Sequence, residues 1–178
     1  PLERELHYPL GERVPVPGEA IDLAPGVRWI RMGLPFALDH INLWLLRDRD
    51  EAGRDGWAIV NCGITSDPTR AAWERIFADE LQGLPVLRVI VTHMHPDHIG
   101  LAHWLTERFG VRLWISATDW NAARIASQAT TGFGGPASAA FMASHGLTDP
   151  VSLDKIRARS NYYASMVPQV PGRFRRLM

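Results

Sequence analysis

A single cysteine, Cys62, occurs in 178 residues. No disulfide framework is possible within the chain, and a reducing, cytoplasmic setting fits it. Neither sign of charge is in excess: 19 Lys and Arg face 19 Asp and Glu, for a formal net charge of zero. That removes the electrostatic drive toward nucleic acid or an anionic membrane surface. Long apolar runs are missing too. None approaches the ~20 residues that cross a bilayer. The opening 25 residues are Pro-rich and polar, without a signal-peptide core. No internal repeat or low-complexity tract points to a repeat architecture. What remains, at 46% apolar residues, is the composition of one globular core.

Within that composition the order of elements is legible. Trp29–Met32, Ile41–Arg47 and Trp57–Val60 read as strands separated by Pro/Gly or charged turns. Ser66 or Asp67 caps a helix with Pro68 in its first turn; Ala72, Trp73, Ile76, Phe77 and Leu81 form its apolar stripe, and Gly83 ends it. Leu87, Val89, Ile90 and Val91 mark a short buried strand. Ala102, Leu105 and Phe109 mark a helix stopped by Gly110, and Val111–Ile115 is a further strand. A capping box, Ser116-Ala117-Thr118-Asp119, opens a helix to about Gln128. Thr130–Pro136 is a Gly-rich loop without the Lys-Ser/Thr ending of a phosphate loop. Ala137–Ser144 and Val151–Ala164 continue the helical stretch, the second started by Thr148 or Asp149 with Pro150. This alternation predicts an α/β fold, a sheet covered by helices.

The chemistry is concentrated in one turn. His93, His95, Asp97 and His98 lie within six residues, in VIVTHMHPDHIG. Imidazole and carboxylate are the donors that bind zinc and similar divalent metals, and buried polar rings with no such role would each need another partner. His93 and His95 are two apart, so on an extended backbone they point to the same side and reach one ion. Asp97 and His98 follow Pro96, leave the strand direction and face a second ion. Two neighbouring metals are an arrangement that activates a water between them.

The run Thr92-His93-Met94-His95-Pro96-Asp97-His98-Ile99-Gly100 closely resembles the H-x-H-x-D-H signature of the metallo-β-lactamase superfamily. The strand-turn Ala58-Ile59-Val60-Asn61-Cys62-Gly63 resembles the one that precedes it in that family, with Asn61 in place of the usual Asp. The resemblance implies the first half of an αββα sandwich and a metal-dependent hydrolase of a small ester, thioester, lactone or amide. It implies two zinc ions in the whole protein, with iron or manganese as alternatives. His93 and His95 would hold the first ion, Asp97 and His98 the second. Asp97 would also be catalytic, passing a proton to the leaving group. An iron-dependent sulfur dioxygenase or another redox enzyme on the same fold is an alternative. So is a phosphodiesterase or nuclease, which the neutral charge disfavours, and a non-enzymatic binding module. Thr92 and Asn61 are candidates to orient the ligand rings, while Met94 points the other way, into packing. The seven tryptophans read as packing residues, with Trp120 a candidate pocket wall.

On this resemblance residues 1–116 form the first half of the domain, 117–166 a helical cap or insertion after the motif-following helix and strand, and 167–178 a linker toward a missing second half. The family needs a third His, a bridging Asp and a last His downstream, yet only His103 and His145 follow His98. His103 sits inside the next helix and His145 at a helix end. The chain is therefore expected to be the N-terminal portion of a longer protein. By itself it is expected to be inactive, to hold metal weakly or not at all, and to expose a sheet face that could pair two copies. Its expected partner is a small-molecule substrate, with no nucleic acid and no membrane.

Overall fold

The computed structural model describes residues 5–128, 134–159 and 161–178, so positions 130–133 of the Gly-rich loop lie outside the described residues. Seven strands form one sheet in sequence order: β1 (Ala20–Ala24), β2 (Val27–Gly33), β3 (His40–Arg49), β4 (Asp55–Val60), β5 (Val86–Ile90), β6 (Leu113–Ser116) and β7 (Phe174–Leu177). The first four run antiparallel and β4 to β7 run parallel. Connection length decides which. Short turns link β1 to β4, whereas helices cross over between the parallel strands. These are α1 (Asp67–Asp79), then α2 (Pro96–Ile99) with α3 (Ala102–Phe109), then α4 (Ala117–Gln128), α5 (Gly135–Ser144), α6 (Pro150–Ala158) and α7 (Tyr162–Met166).

Strand alternation gives the sheet two unlike faces. Ile30, Leu43, Leu45, Ile59, Val89, Leu113 and Ile115 are fully buried together with Trp73 and Ile76 of α1 and Leu105 of α3. The other face carries a registered row, Trp29–Trp44–Val60–Ile90–Trp114–Arg175, running across six strands. Its apolar members are only half-buried. Arginines lie over two of the indoles: Arg31 over Trp29 at 5.1 Å, and Arg88 and Arg175 over Trp114 at 4.7 and 5.3 Å. A contiguous, half-covered apolar face favours association. The chain alone is expected to self-associate at high concentration, as light scattering would register, and a clean monomer would count against a face-to-face pair.

The α1 cap matches its sequence signature: Ser66 Oγ accepts from the Thr69 amide at 3.2 Å with Pro68 in the first turn. The helix ends at Asp79, before Gly83. The helix over Val151–Ala164 is instead two, α6 and α7, broken at Arg159, whose φ of −77° and ψ of 42° leave the helical region. The segment 167–178 is more than a linker: its last residues form β7, paired parallel to β6 through Leu113↔Phe174 to Ser116↔Leu177. Arg175 of this segment lies over the Trp114 ring at 5.3 Å. Trp120 is a packing residue. Its ring stacks on Phe174 at 4.5 Å and its Nε1–H donates to Pro171 O at 2.9 Å. Helix α4 therefore lies against β6 and β7 as an outer-layer helix, α7 packs on α4, and α5 and α6 pair with each other. No helix among the described residues is long and apolar enough to cross a membrane.

Candidate metal centre

Two turns meet at the ends of β4 and β5. The first, Asn61 to Thr65, leaves β4; Asn61 takes a left-handed φ of 63°, which Asn tolerates better than most side chains. The second, Thr92 to Gly100, leaves β5 and carries the histidines. Backbone bonds sew the two together: Cys62 N–H donates to His98 O at 2.7 Å and Leu101 N–H to Gly63 O at 3.3 Å. The approach is close enough to require glycine at Gly100. A Cβ there would lie 2.6 Å from Pro96 O, 2.7 Å from Thr65 N and 2.8 Å from Gly63 O. The buried Cys62 thiol, pushed up by its surroundings, stays protonated and takes no part.

Strand β5 stops at Ile90, so His93 and His95 stand in a bend rather than on extended strand. They converge nonetheless. His93 Nε2 lies 2.9 Å from His95 Nδ1. Asp97 Oδ2 lies 3.3 Å from His98 Nε2, and the His93 and His98 rings are 3.9 Å apart between centroids. All four residues picked from the sequence are thus brought together, as two facing donor pairs. Facing nitrogens, or a nitrogen facing a carboxylate, are satisfied by a shared hydrogen or by a metal ion between them. In type and convergence the donors fit a metal. In number they fall short, because no group of three or more His, Cys, Asp or Glu forms a metal-binding set among the described residues.

Asn61 and Thr92 set how the two rings are turned. The Thr92 amide can only donate, so the Asn61 atom it meets at 3.0 Å is the oxygen Oδ1. Thr92 Oγ1 lies 3.0 Å from the same oxygen and must donate its one hydrogen there. Toward His93 Nδ1, at 3.0 Å, and His98 Nδ1, at 3.4 Å, that hydroxyl is left as an acceptor. Thr92 thus lies on the Nδ1 side of both rings and leaves their Nε2 atoms facing His95 and Asp97. Asn61 performs this orientation without the charge an Asp would bring. Thr92→Val removes the acceptor and is expected to weaken metal binding by about 10- to 100-fold. A competition titration checks it, and unchanged affinity would remove Thr92 from the site.

A second support was hidden from the sequence. The Met94 peptide, between the two histidines, is held at both poles. Its N–H donates to Asp119 Oδ1 at 3.1 Å, and its C=O accepts from Tyr163 Oη at 2.6 Å. The capping box had marked Asp119 as a helix-start residue. The Asp119 amide does donate to Ser116 Oγ at 3.0 Å, and the carboxylate is shared: Oδ2 accepts from the Ser116 hydroxyl at 2.5 Å while Oδ1 takes the Met94 amide. Nothing in the local pattern marks Tyr163, which is 3% exposed. Burial, and then the nearby Asp119 carboxylate, push its phenol up, so it stays a donor.

The electrostatics follow from the crowding. The hydrogen bond from His98 holds Asp97 below the usual carboxylate range, against the opposing effect of burial. Burial, and then the neighbouring His98 and His95, hold His93 below the usual imidazole value. The two downstream histidines do not join the turn. His145 ends α5, where its Nδ1 faces Phe141 O at 2.9 Å. His103 lies in the first turn of α3, and its buried Nδ1 has no hydrogen-bond partner.

Residues 37–145 match a family model described as the metallo-beta-lactamase superfamily. A beta-lactamase domain protein from Burkholderia ambifaria is similar over 99% of this chain and 49% of its own, with 50% identity and a TM-score of 0.85. A metallo-beta-lactamase from Pontibacter korlensis is similar over 60% of this chain and 46% of its own, with 20% identity and a TM-score of 0.46. The chain thus spans about half the length of these solved structures. A comparison with curated proteins finds no match.

Proposed function

This chain belongs to the metallo-beta-lactamase superfamily, and from that membership we propose that it supplies part of the centre of a metal-dependent hydrolase acting on a small ester, thioester, lactone or amide. One observation carries the reading: a single turn sets His93 Nε2 against His95 Nδ1 and Asp97 Oδ2 against His98 Nε2. In this reading His93 and His95 hold one divalent ion, and Asp97 and His98 a second. Zinc suits the donors, with iron or manganese as alternatives. Such an ion supplies an acidified water, with a pKa brought toward about 7, and polarises the bond to be cleaved.

The chain's own residues do the remaining work. Thr92 keeps the His93 and His98 Nε2 atoms turned inward. Asp119 and Tyr163 keep the Met94 peptide, and so the spacing of the two histidines, in place. Asp97 accepts a proton on its carboxylate and returns it to the leaving atom. The reading is tested by metal analysis of this chain and of any longer polypeptide that contains it, with hydrolysis of an ester, thioester and lactone panel before and after chelation. Hydrolysis lost on chelation and restored by metal is the expected result. Absence of zinc, iron and manganese from this turn in the longer polypeptide, or hydrolysis indifferent to chelation, ends the reading.

A further inference from the structure

Beside the donor turn lies a cavity of about 320 Å³ whose walls are Phe36, from the β2–β3 loop, and Tyr162, Tyr163 and Met166, from α7. His95 and Asp97 form its inner rim. We propose that this cavity receives an uncharged apolar limb, acyl or aryl, of the molecule whose polar centre is held at the turn. The inference rests on the reading of that turn as the reacting centre and names the class of substrate it takes.

Three observations carry it. The first is place: the same two residues that offer donor atoms to the turn also edge the cavity, so a molecule anchored at one reaches into the other. The second is size. The volume is roughly twice that of the ~150 Å³ cavity known to take up benzene, and falls within the ~300–1,000 Å³ range of ligand pockets. It suits a bicyclic aromatic or a medium-length acyl chain. The third is charge. Among the described residues no Lys or Arg lines the cavity, and the Asp97 carboxylate on its rim disfavours an anionic limb. A cationic limb would seek the faces of the aromatic walls, but Arg159 already stands over Tyr162 at 5.1 Å. Phe36 and Tyr162, each 41% exposed, are half-open to solvent and gain from being covered. Tyr163 meanwhile joins the cavity to the turn, since its ring is a wall and its hydroxyl holds Met94 O.

The test uses the chain with methionine methyl groups labelled with carbon-13, and needs neither metal nor turnover. Three probes share a naphthalene body: neutral 2-naphthol, anionic 2-naphthoate and the cation (2-naphthylmethyl)trimethylammonium. The expected result is a saturable shift of the Met166 methyl with 2-naphthol, while Met32, 1% exposed in the core, stays fixed and reports an intact fold. Met178, fully exposed at the chain end, reports any non-saturating surface binding. Phe36→Ala combined with Tyr162→Ala is expected to weaken the probe about tenfold, the loss of two aromatic contacts. A Met166 methyl that does not respond, equal affinity in the double variant, or tighter binding of either charged probe overturns the proposal. Saturable binding with no hydrolysis by the longer polypeptide that contains the chain would retain the cavity and sink the hydrolase reading. Hydrolysis with no response at Met166 would do the reverse.

Discussion

On the proposed function, replacing Asp97 with Ala in the longer polypeptide that contains this chain is expected to cut hydrolytic turnover by about two to four orders of magnitude, the range a positioned proton-transfer group contributes, while leaving the fold in place. The structural argument has two parts. Asp97 supplies one of the four donor atoms at the turn, and its carboxylate is the acidic member of the Asp97–His98 pair, 3.3 Å across. Yet its side chain is 24% exposed at the start of the short helix α2. A contact this open to water contributes at most about 1 kcal/mol. Thermal unfolding should therefore shift little while activity collapses. Asp97→Asn separates charge from shape, since it keeps an oxygen to face His98 but cannot carry a proton. It should fall nearly as far as Ala. Near-native turnover in either variant would end the assignment of Asp97.

The second large effect is on stability and reaches the site through the backbone. Trp73 is fully buried, stacks on Phe77 at 5.5 Å, and donates its Nε1–H to Cys62 O at 2.8 Å. Trp73→Ala is expected to cost about 3–5 kcal/mol, which for a chain of this size lowers the melting temperature by about 2–4 °C per kcal/mol. Trp73→Phe keeps most of the ring but leaves the Cys62 carbonyl unpaired, a loss of about 1–3 kcal/mol. Both should loosen more than the core. Cys62 N–H holds His98 O, so freeing Cys62 releases one of the bonds that tie the histidine turn to the β4 end. Amide exchange at Cys62 that quickens in Trp73→Phe before global unfolding would show this coupling. Exchange that changes only with global unfolding would confine Trp73 to the core.

How much could be read in advance differed from element to element. The strand and helix pattern from β2 to α3 follows local rules: β-branched runs, a Ser66 cap with Pro68, a left-handed Gly110 stop at φ 63°. Each depends on neighbours a few residues away, so a linear reading reaches them. Beyond Ser116 it was less reliable. The break at Arg159 and the strand β7 both depend on what the chain packs against, and four residues of β7 carry no pattern of their own. A β6 edge offering unpaired backbone groups is what makes Phe174–Leu177 a strand.

The site divides in the same way. The amino-acid order alone determined that His93, His95, Asp97 and His98 share one turn, because covalent spacing keeps them within reach of each other in any fold. Only the tertiary structure decided which ring atoms face inward, since that is set by Asn61, 31 residues from Thr92 along the chain. The same holds for the hold on Met94, which comes from Asp119 and from Tyr163, 25 and 69 residues away. Hydrogen bonds between distant segments leave no periodic trace in a sequence. They exist only once the packing of sheet and helices has brought donor and acceptor within 3 Å or so of one another.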